Sequence, residues 1–366
     1  MLTPQGLKQS PLRSAHERLN ARLVPFGGWE MPLQYAGILE EYEYTRQRAA
    51  LFDISHMGEF IVEGDALASG LDGLVTCSIK DLPVKSCRYG TLLNEQGGIL
   101  DDLLVFRMEQ EKWMIVVNGA TTDKDAEHFS RHIGKAGRFT DISLRTGKLD
   151  IQGPGSRDVL SPLVNGIERL KYYTFDEFDV VGERVIVSRT GYTGELGYEI
   201  YYPWDKTEKL WNKILENKQV APAGLGARDV LRMEMGYSLY GHELSEDISP
   251  LEAGLERFVD FDKDFIGKGC LIKQRERGMN RRLVCFVSEN RRSPRNSNKI
   301  LSPDLREIGV VTSGTFAPSL KRGIGMGFVS SALTPIGEKV IINDQRNNFK
   351  AEITGRPFYK NGSLKN

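Results

Sequence analysis

Apolar residues along the chain follow two different periods, one typical of strands and one typical of helices. Between residues 58 and 120 they form continuous or alternating runs, which indicate strands. These runs are "EFIVEG" (59–64), "YGTLLNEQGGILDDLLVFRM" (89–108) and "KWMIVVNG" (112–119). Polar and glycine residues at Asn94–Gly98 predict a hairpin turn inside the longest run. This part of the chain is therefore predicted to be rich in strands.

Helical spacing appears on both sides of this region. A polar amphipathic helix is predicted over 38–50, "ILEEYEYTRQRAA", and another over 205–217. A third helix is predicted to begin at Thr122, because Thr122 and Asp125 have the spacing of a capping box. The segment "SPLEAGLERFV" (249–259) also carries a helix-start signal. Ser249 is a suitable N-cap residue, and Pro250 is favoured at the first helical position. Glu252, three residues after the cap, completes the capping-box spacing.

Helical and strand-like segments interleave without a fixed period, which excludes a solenoid and a regular alternating barrel and favours an α+β fold. The composition changes near 275–300, where "QRERGMNRR" and "NRRSPRNSNK" are basic and rich in turn residues. Short strands with Gly, Pro and Ser turns follow, and they predict a separate C-terminal β domain. The basic stretches are either solvated surface or a docking face for an acidic partner.

The composition is that of an ordinary globular protein, with 366 residues, 40% hydrophobic and 27% charged. Forty-nine basic residues balance 49 acidic ones, so no overall basic excess points to nucleic acid. The longest apolar stretches, such as "WMIVV" (113–117), are too short to span a bilayer. The first twenty residues resemble neither a secretory signal nor an organellar presequence. We therefore expect a cytosolic protein that binds neither nucleic acid nor membrane.

The sequence predicts neither a metal site nor a disulfide scaffold. The four cysteines form no CxxC pair, and we expect them to be reduced thiols. His128 and His132 lie one helical turn apart and could chelate a metal, but a solvated helix face explains them as well. Motifs for dinucleotide binding, Walker A phosphate binding and the GxSxG nucleophile are all absent.

The stretch "GGILDDLLVF" (97–106) places two adjacent carboxylates inside a buried strand. Side chains alternate along a strand, so Asp101 and Asp102 are predicted to point to opposite faces. At least one of them enters a poorly solvated space, where a lone charge is costly unless something pairs with it.

Two further charged residues stand in unusual surroundings. Glu199 lies among aromatic residues of a predicted strand, "GYEIYYP", and alternation places it on the face of Tyr201. Arg228 lies in the first turns of a predicted helix, "GLGARDVLRMEMG" (224–236), where the helix dipole favours acids. A structural ion pair is one explanation, with Asp229, Glu199 or Glu234 as the partner of Arg228. A bound ligand is the other.

Several long motifs occur together and in order along the chain. They are "FGGWEMPLQY" (26–35), "LFDISHMGEF" (51–60), "NEQGGILDDLLV" (94–105), "SRTGYTGELGYE" (188–199), "PAGLGARDVLRMEMGYSLYGHEL" (222–244) and "VTSGTFAPSLKRGIGMGFV" (311–329). With them the chain resembles the T proteins of the glycine cleavage system, which are tetrahydrofolate-dependent aminomethyltransferases. The resemblance extends from about residue 10 to 360.

The resemblance implies a three-lobed, cloverleaf-like fold around a central folate site. The first lobe would combine 1–54 with 142–270, the second would be the inserted segment 55–141, and the third would be a C-terminal antiparallel β barrel over 271–366. The implied partners are tetrahydrofolate and the lipoylated H protein, which carries the aminomethyl group. The implied products are methylenetetrahydrofolate, ammonia and dihydrolipoyl H protein. The location would be the bacterial cytoplasm, or the mitochondrial matrix for a processed eukaryotic chain.

The resemblance also assigns roles to single residues. Asp102, the second aspartate of "GGxxDD", would face the reactive edge of the pterin as the catalytic carboxylate, and Asp101 would be structural. Glu199 would bind the pyrimidine edge of the pterin. Arg228 would contact the folate, and Tyr192 would stack on its ring.

Four further residues fall at or near family site positions: Met57, Tyr89, Asn118 and Tyr173, the last chosen over Tyr172. In the family a residue after a "PF" segment closes the site, and "RPFYKNGSLKN" offers Arg356, Lys360 and Lys365.

Two rival functions follow from related folate proteins. "GKGC", ending at Cys270, partly matches the "KGCYxGQ" signature of folate-binding accessory proteins of the tRNA-modification and iron–sulfur assembly type. Leu271 and Lys273 depart from that signature and weaken this rival. The other rival is the folate domain of a demethylating enzyme, which normally accompanies a flavin domain for which this chain lacks the fingerprint.

Overall fold

A computed structural model describes residues 6–331 and 335–365. The helices of these residues are α1 (Arg13–Arg18), α2 (Ile38–Gln47), α3 (Leu71–Leu74), α4 (Thr122–His132), α5 (Ser156–Leu160), α6 (Thr207–Leu215), α7 (Leu225–Met235) and α8 (Lys268–Arg277). The first ten strands are β1 (Lys8–Gln9), β2 (Arg22–Phe26), β3 (Trp29–Gln34), β4 (Ala49–Asp53), β5 (Gly58–Glu63), β6 (Ser86–Leu93), β7 (Ile99–Glu109), β8 (Lys112–Val117), β9 (Arg138–Asp141) and β10 (Thr146–Gln152). The others are β11 (Phe175–Val180), β12 (Glu183–Ser188), β13 (Gly197–Pro203), β14 (Val220–Ala223), β15 (Arg281–Ser288), β16 (Lys299–Leu301), β17 (Glu307–Ala317), β18 (Arg322–Ser330), β19 (Lys339–Asn343) and β20 (Asn348–Thr354).

A six-stranded mixed sheet forms the centre of the first lobe, in the order β11-β12-β13-β10-β4-β14. Two neighbouring inner strands, β4 and β10, are buried along their whole length. One face packs on α6 through Trp211 and Ile214, which belong to the largest apolar cluster. The other face carries polar residues of β10 and β13 and packs on α7.

A five-stranded antiparallel sheet, in the order β6-β7-β8-β5-β9, forms the second lobe. Helix α4 covers one of its faces, with Phe129 packed on Phe60 and Phe139. The opposite face packs on the first sheet, where Phe106 contacts Phe175 and Tyr201. The two sheets therefore share an apolar interface next to the polar residues of both.

The C-terminal part is a closed six-stranded antiparallel barrel, in the order β15-β18-β17-β16-β19-β20. This confirms the α+β class and the C-terminal barrel that the sequence predicted. The glycines of "GIGMGF" allow close packing here, since a Cβ on Gly325 would come within 2.6 Å of the Phe286 ring. The barrel joins the first lobe through Arg232 of α7, which donates to Ser313 Oγ (3.1 Å).

Two helix predictions need correction. The helix expected over 38–50 ends at Gln47, and Ala49 already begins the buried strand β4. The helix expected over 249–259 does not form, although its capping box does. Ser249 N–H donates to Glu252 Oε2 (2.9 Å), and Glu252 N–H donates to Ser249 Oγ (3.2 Å). Gly254, at φ +68°, then turns the chain after a single turn, and a short 3₁₀ segment follows.

The capping box predicted at Thr122 and Asp125 is also wrong in detail. Helix α4 begins where expected, but its N-cap is Thr121, which makes no side-chain capping bond. Asp125 is instead completely buried, on the side of the helix that faces the second sheet. The six-stranded sheet, the five-stranded sheet and the barrel lie in the segments assigned to the three lobes, and a small sheet of β1, β3 and β2 belongs to the first segment. The boundaries between these lobes stay a prediction. Helix α8 (Lys268–Arg277) continues across the lobe boundary that was predicted after residue 270.

Candidate functional site

Asp102 lies on β7 between a tyrosine and an asparagine that the sequence also singled out. It is paired across the sheet with Thr91, so Tyr89 on β6 is its diagonal neighbour. The Tyr89 hydroxyl donates to Asp102 Oδ2 (3.0 Å), and Asn118 Nδ2 donates to Asp102 Oδ1 (2.8 Å). Asn118 directly follows β8, the other neighbour of β7. Both carboxylate oxygens are thus oriented by neutral donors.

The opposite orientation predicted for Asp101 and Asp102 holds only in part. Burial alternates as expected, with Asp101 fully buried and Asp102 partly exposed. Asn118 Nδ2 nevertheless donates to Oδ1 of both residues, at 2.8 Å each. The Asn118 side chain reaches both faces because it stands at the end of β8, where the ladder with β7 has stopped.

The surroundings of Asp102 favour its protonated form. Burial and then the charge of Asp101 raise the pKa of Asp102 to about 7, although the bonds from Tyr89 and Asn118 oppose this rise. A carboxyl group with such a pKa can both accept and return a proton near neutral pH.

A second group of charges lies on the face of the first sheet. Asp150 on β10 is directly paired with Glu199 on β13, and Lys148 with Tyr201. Lys148 Nζ lies 3.0 Å from Glu199 Oε2, and Arg228 Nη1 lies 2.5 Å from Asp150 Oδ2. We call these four residues the charge quartet: Lys148, Asp150, Glu199 and Arg228.

The quartet shows which ion pairs the sequence analysis had wrong. Arg228 pairs with Asp150 and with none of the three carboxylates considered. Asp229 pairs with Arg232, and Glu234 pairs with Arg46. Lys148 and Asp150 were missed. Polar and apolar residues alternate in "TGKLDIQ", and this pattern places the two charges on one face of a buried strand. It is the sequence signal from which both residues could have been identified.

The pKa values in the quartet follow from burial and from the two cations. Burial raises the pKa of Asp150 to about 6, with Arg228 opposing and Glu199 adding to the rise. Burial would also raise the pKa of Glu199, but Lys148 and Arg228 outweigh it and lower that pKa. Glu199 is therefore ionised at neutral pH and accepts a hydrogen bond from Tyr201 Oη (3.3 Å).

Tyr192 lies beside the quartet. The guanidinium of Arg228 lies over its ring, 5.1 Å from the centroid. Its hydroxyl donates to the carbonyl of Ser238, and its ring stacks on Tyr237 at 5.6 Å and 24°. Tyr237 was not among the residues that the sequence singled out; it directly follows Gly236, which ends α7.

Met57 and Tyr173 complete the predicted set. Met57 Sδ lies 3.7 Å from Lys148 Nζ, and Met57 and Tyr173 pack against the same apolar cluster between the two sheets. The Tyr173 ring contacts the exposed Tyr172 edge-on at 4.6 Å, and of the two tyrosines Tyr173 is the one packed against this cluster.

Three of the other predicted residues, Asp102, Tyr192 and Tyr173, lie near Tyr89. Burial is the largest cause that raises the pKa of Tyr89, and Asp102, Tyr192 and Tyr173 lie close enough to raise it further. Apart from Glu199, all predicted site residues are partly exposed. Tyr192 links Asp102 to the charge quartet, because Asp102 and Arg228 both lie close enough to shift its pKa.

Two buried titratable side chains, Glu59 and His56, have polar atoms without a hydrogen-bond partner among the described residues. Both carboxyl oxygens of Glu59 are unbonded among the described residues, and burial raises the pKa of Glu59 to about 8. His56 Nδ1 is likewise unbonded in that part of the chain, and burial lowers the pKa of His56 to about 4. Both groups are therefore neutral at pH 7.

The C-terminal tail returns to the first lobe. Ser363 donates to Glu195 Oε2 through its N–H (2.8 Å) and its hydroxyl (2.5 Å). Arg356 donates to the carbonyls of Gly254 (2.6 Å) and Gly236 (3.4 Å), which fixes it between the barrel and the first lobe.

Cys270 lies next to the glycine turn of the second lobe and lines a cavity of about 350 Å³. Its Sγ is 3.3 Å from the carbonyl of Glu95. A Cβ on Gly97 would lie 3.3 Å from the Cβ of Cys270, so this residue packs the turn against α8.

Within residues 6–331 and 335–365, no three or more His, Cys, Asp or Glu side chains are grouped so that they could hold a metal ion. None of the helices there is long and apolar enough to cross a bilayer.

Two known family domains match the chain in succession. The family described as "GCVT N-terminal domain" matches residues 12–263. The family described as "Glycine cleavage T-protein C-terminal barrel domain" matches residues 281–360.

Individual relatives match almost the whole chain. An aminomethyltransferase of Pseudothermotoga lettingae is 43% identical over 98% of this chain and 99% of its own length. One from Listeria monocytogenes serotype 4b is 41% identical over 97% of this chain and 98% of its own. The crystal structure of the glycine cleavage system aminomethyltransferase T from Bartonella henselae superposes with a TM-score of 0.91. It is 32% identical and covers 97% of this chain and 99% of that one.

Proposed function

We propose a substrate and a set of residue roles on the premise that this chain belongs to the glycine cleavage T-protein family and is an aminomethyltransferase of the glycine cleavage system. The co-substrate is tetrahydrofolate, and it binds in the region lined by Asp102, Glu199, Arg228 and Tyr192. The donor is the aminomethyl group on the lipoyl arm of H protein. No metal takes part.

The transfer moves one carbon from sulfur and nitrogen to two folate nitrogens. The bond from this carbon to the amino nitrogen breaks, and ammonia leaves. Two new carbon–nitrogen bonds to the folate form, and the carbon–sulfur bond to the lipoyl arm breaks. The two folate nitrogens each lose a proton, one of which is carried away by ammonia and the other by the lipoyl sulfur. Positive charge and protons must therefore be managed close to the reacting carbon.

Asp102 is the group that stabilises this positive charge and takes up a proton. The observation that carries this proposal is the setting of its carboxyl group, which is partly exposed, held by Tyr89 and Asn118, and has a pKa raised to about 7. A carboxylate in this state can orient a folate N–H, stabilise an iminium-like carbon and take up a proton.

The other residues bind the folate. Glu199, kept ionised by Lys148, can accept two parallel N–H bonds from the pyrimidine edge of the pterin. Tyr192 offers a ring face for stacking beside Arg228. Met57, Tyr89, Asn118 and Tyr173 line the same region, and a basic residue of the C-terminal tail closes it.

The accessory-protein alternative is not favoured, because the relatives that match over the full length are aminomethyltransferases. Its reactive group would be Cys270, whose place in the packing of the glycine turn explains it without chemistry. Cys270→Ala is therefore expected to leave aminomethyl transfer unchanged, whereas loss of transfer with intact folding would revive this alternative.

The proposed reaction is tested by ammonia release from H protein that bears aminomethyl-lipoate. Release should require both this protein and tetrahydrofolate, with an equal amount of methylenetetrahydrofolate formed. Tight folate binding without ammonia release would leave the binding site standing and overturn the proposed donor. We further propose a cytoplasmic location, which the bacterial origin of the relatives supports.

A further inference from the structure

Two buried carboxyl groups, those of Asp101 and Asp125, lie close to Asp102, and neither has a role in the proposed reaction. Asp101 on β7 and Asp125 on α4 are both completely buried. Their carboxyl groups are within hydrogen-bonding reach of each other. Two ionised carboxylates at this separation in an apolar core are strongly unfavourable, so one of them keeps a proton.

The donors around the pair show which carboxyl group carries the charge. Asn118 N–H donates to Asp101 Oδ2 (2.9 Å), and Asn118 Nδ2 donates to Asp101 Oδ1 (2.8 Å). In the described part of the chain, no donor is bonded to either oxygen of Asp125. The Thr121 hydroxyl lies near both carboxyl groups and lowers the pKa of each, so it does not favour either one, and it donates to the Asn118 carbonyl (3.0 Å). Asp101 is therefore the anion, and Asp125 carries the proton that it donates to Asp101.

We propose that Asp125 is a positioning residue for the transfer reaction, which keeps Asp101 charged and thereby fixes Asn118, the amide that holds Asp102. The chain of contacts is continuous. Asp125 bonds Asp101, Asp101 accepts from both nitrogens of Asn118, and Asn118 Nδ2 reaches Asp102 Oδ1. This inference rests on the proposed role of Asp102.

Burial raises the pKa of Asp101, but the hydrogen bonds from Asp125 and Asn118 oppose this rise and favour its charged form. Burial and then the charge of Asp101 raise the pKa of Asp125 to about 10. Lys124, on the same helix, opposes this rise only weakly, because its ammonium group is bonded to the Leu100 carbonyl, Tyr240 and Glu246. The remaining titratable groups that face the carboxyl cluster are Tyr89 on β6 and Tyr192.

The charge kept on Asp101 acts on the reaction through Asp102. After burial, it is the largest cause that raises the pKa of Asp102 to about 7. A change that discharges Asp101 should therefore lower the pKa at which Asp102 loses its proton, and with it the acid limb of the pH–rate profile.

The experiment compares two substitutions of Asp125 in the complete enzyme with H protein and tetrahydrofolate. Asp125→Asn keeps a donor toward Asp101, so kcat and the acid limb should stay as in the wild type. Asp125→Ala removes the donor, so Asp101 takes up a proton. The acid limb should then move down by about half a pH unit or more, and kcat should fall about tenfold with little change in KM for tetrahydrofolate. Asp123→Asn, an exposed position in the same turn, is the matched control.

An unmoved acid limb in Asp125→Ala would overturn the proposal, since a purely structural aspartate would change stability and leave the limb in place. If Asp125→Ala does not fold, Asp101→Asn replaces it, because removing that charge directly should lower the limb. Infrared difference spectra need no activity. The spectra are recorded at a pH between the pKa of Glu59, about 8, and that of Asp125, about 10. Subtracting the spectrum of Asp125→Asn from that of the wild type should then leave the band of a buried protonated carboxyl group. Absence of this band would overturn the proposal independently of the proposed function.

Discussion

Lys148→Met is the substitution with the largest expected effect on the charge quartet. Lys148 is fully buried, and its Nζ lies 3.0 Å from Glu199 Oε2. At this distance and an effective dielectric constant of about 20, the attraction is about 5.5 kcal/mol. Methionine has a similar volume and leaves Glu199 as a buried charge beside Arg228 alone. Breaking a buried pair in this way costs about 3–5 kcal/mol of unfolding free energy.

The cost should depend on pH in a defined direction. Burial alone would raise the pKa of Glu199, and Lys148 is the main group that lowers it instead. A lowered pKa in the folded state stabilises the protein above the ordinary pKa of a glutamate, and this contribution is lost as the pH falls. The difference between wild type and Lys148→Met should therefore be large at about pH 8 and smaller at about pH 4.

Urea unfolding of a double-mutant cycle measures the effect. Lys148→Met should lose about 3–5 kcal/mol at about pH 8, and most of this loss should disappear in the Glu199→Gln background. Lys206→Met, which removes an exposed lysine that pairs with Glu183, is the control and should change little. An equal loss in both backgrounds would refute the reasoning, because the cost would then come from packing and not from the pair.

Three further substitutions test neighbouring groups. Tyr89→Phe removes a donor that lowers the pKa of Asp102, so the acid limb of the pH–rate profile should move up; a downward shift would contradict this. Glu59→Gln removes a buried acid whose pKa is raised from 4.5 to about 8, a rise that costs the wild type stability as the pH increases between these values. As the pH rises from 4.5 to about 8, the free energy of unfolding in urea should therefore decrease more in the wild type than in Glu59→Gln, by about 2–5 kcal/mol. Equal decreases in the two proteins would contradict this prediction. Arg228→Lys keeps the charge but loses the planar group over Tyr192, so tetrahydrofolate binding, measured by calorimetry, should weaken about tenfold; unchanged affinity would remove the guanidinium from the site.

Local sequence signals were sufficient where neighbouring residues decide the structure. The hairpin at Asn94–Gly98, the strand that carries Asp102 and the helix ended by Gly236 all follow from periods and turn residues. The short strands with glycine and proline turns after residue 300 likewise indicated a separate β domain, which the resemblance implied to be the barrel that is found.

These local signals could not predict contacts between residues that are far apart in the sequence. Asp150 could be assigned to Arg228 only with the knowledge that β10 lies between β13 and β4 and that α7 packs on their common face. The same limit explains Asp125, whose spacing from Thr122 fits a capping box although its side chain is buried in the core. Ser249 shows the reverse case, because its capping box forms but Gly254 ends the turn before a helix can continue.

The most direct test of the central claim, that Asp102 is the carboxylate of the transfer reaction, is the turnover of Asp102→Asn measured with tetrahydrofolate bound. Asparagine preserves the shape of the side chain but cannot carry the negative charge or take up a proton. We expect tetrahydrofolate binding to be retained, while the formation of methylenetetrahydrofolate from aminomethyl-lipoyl H protein falls by about tenfold or more. Unchanged turnover in this variant would contradict the account.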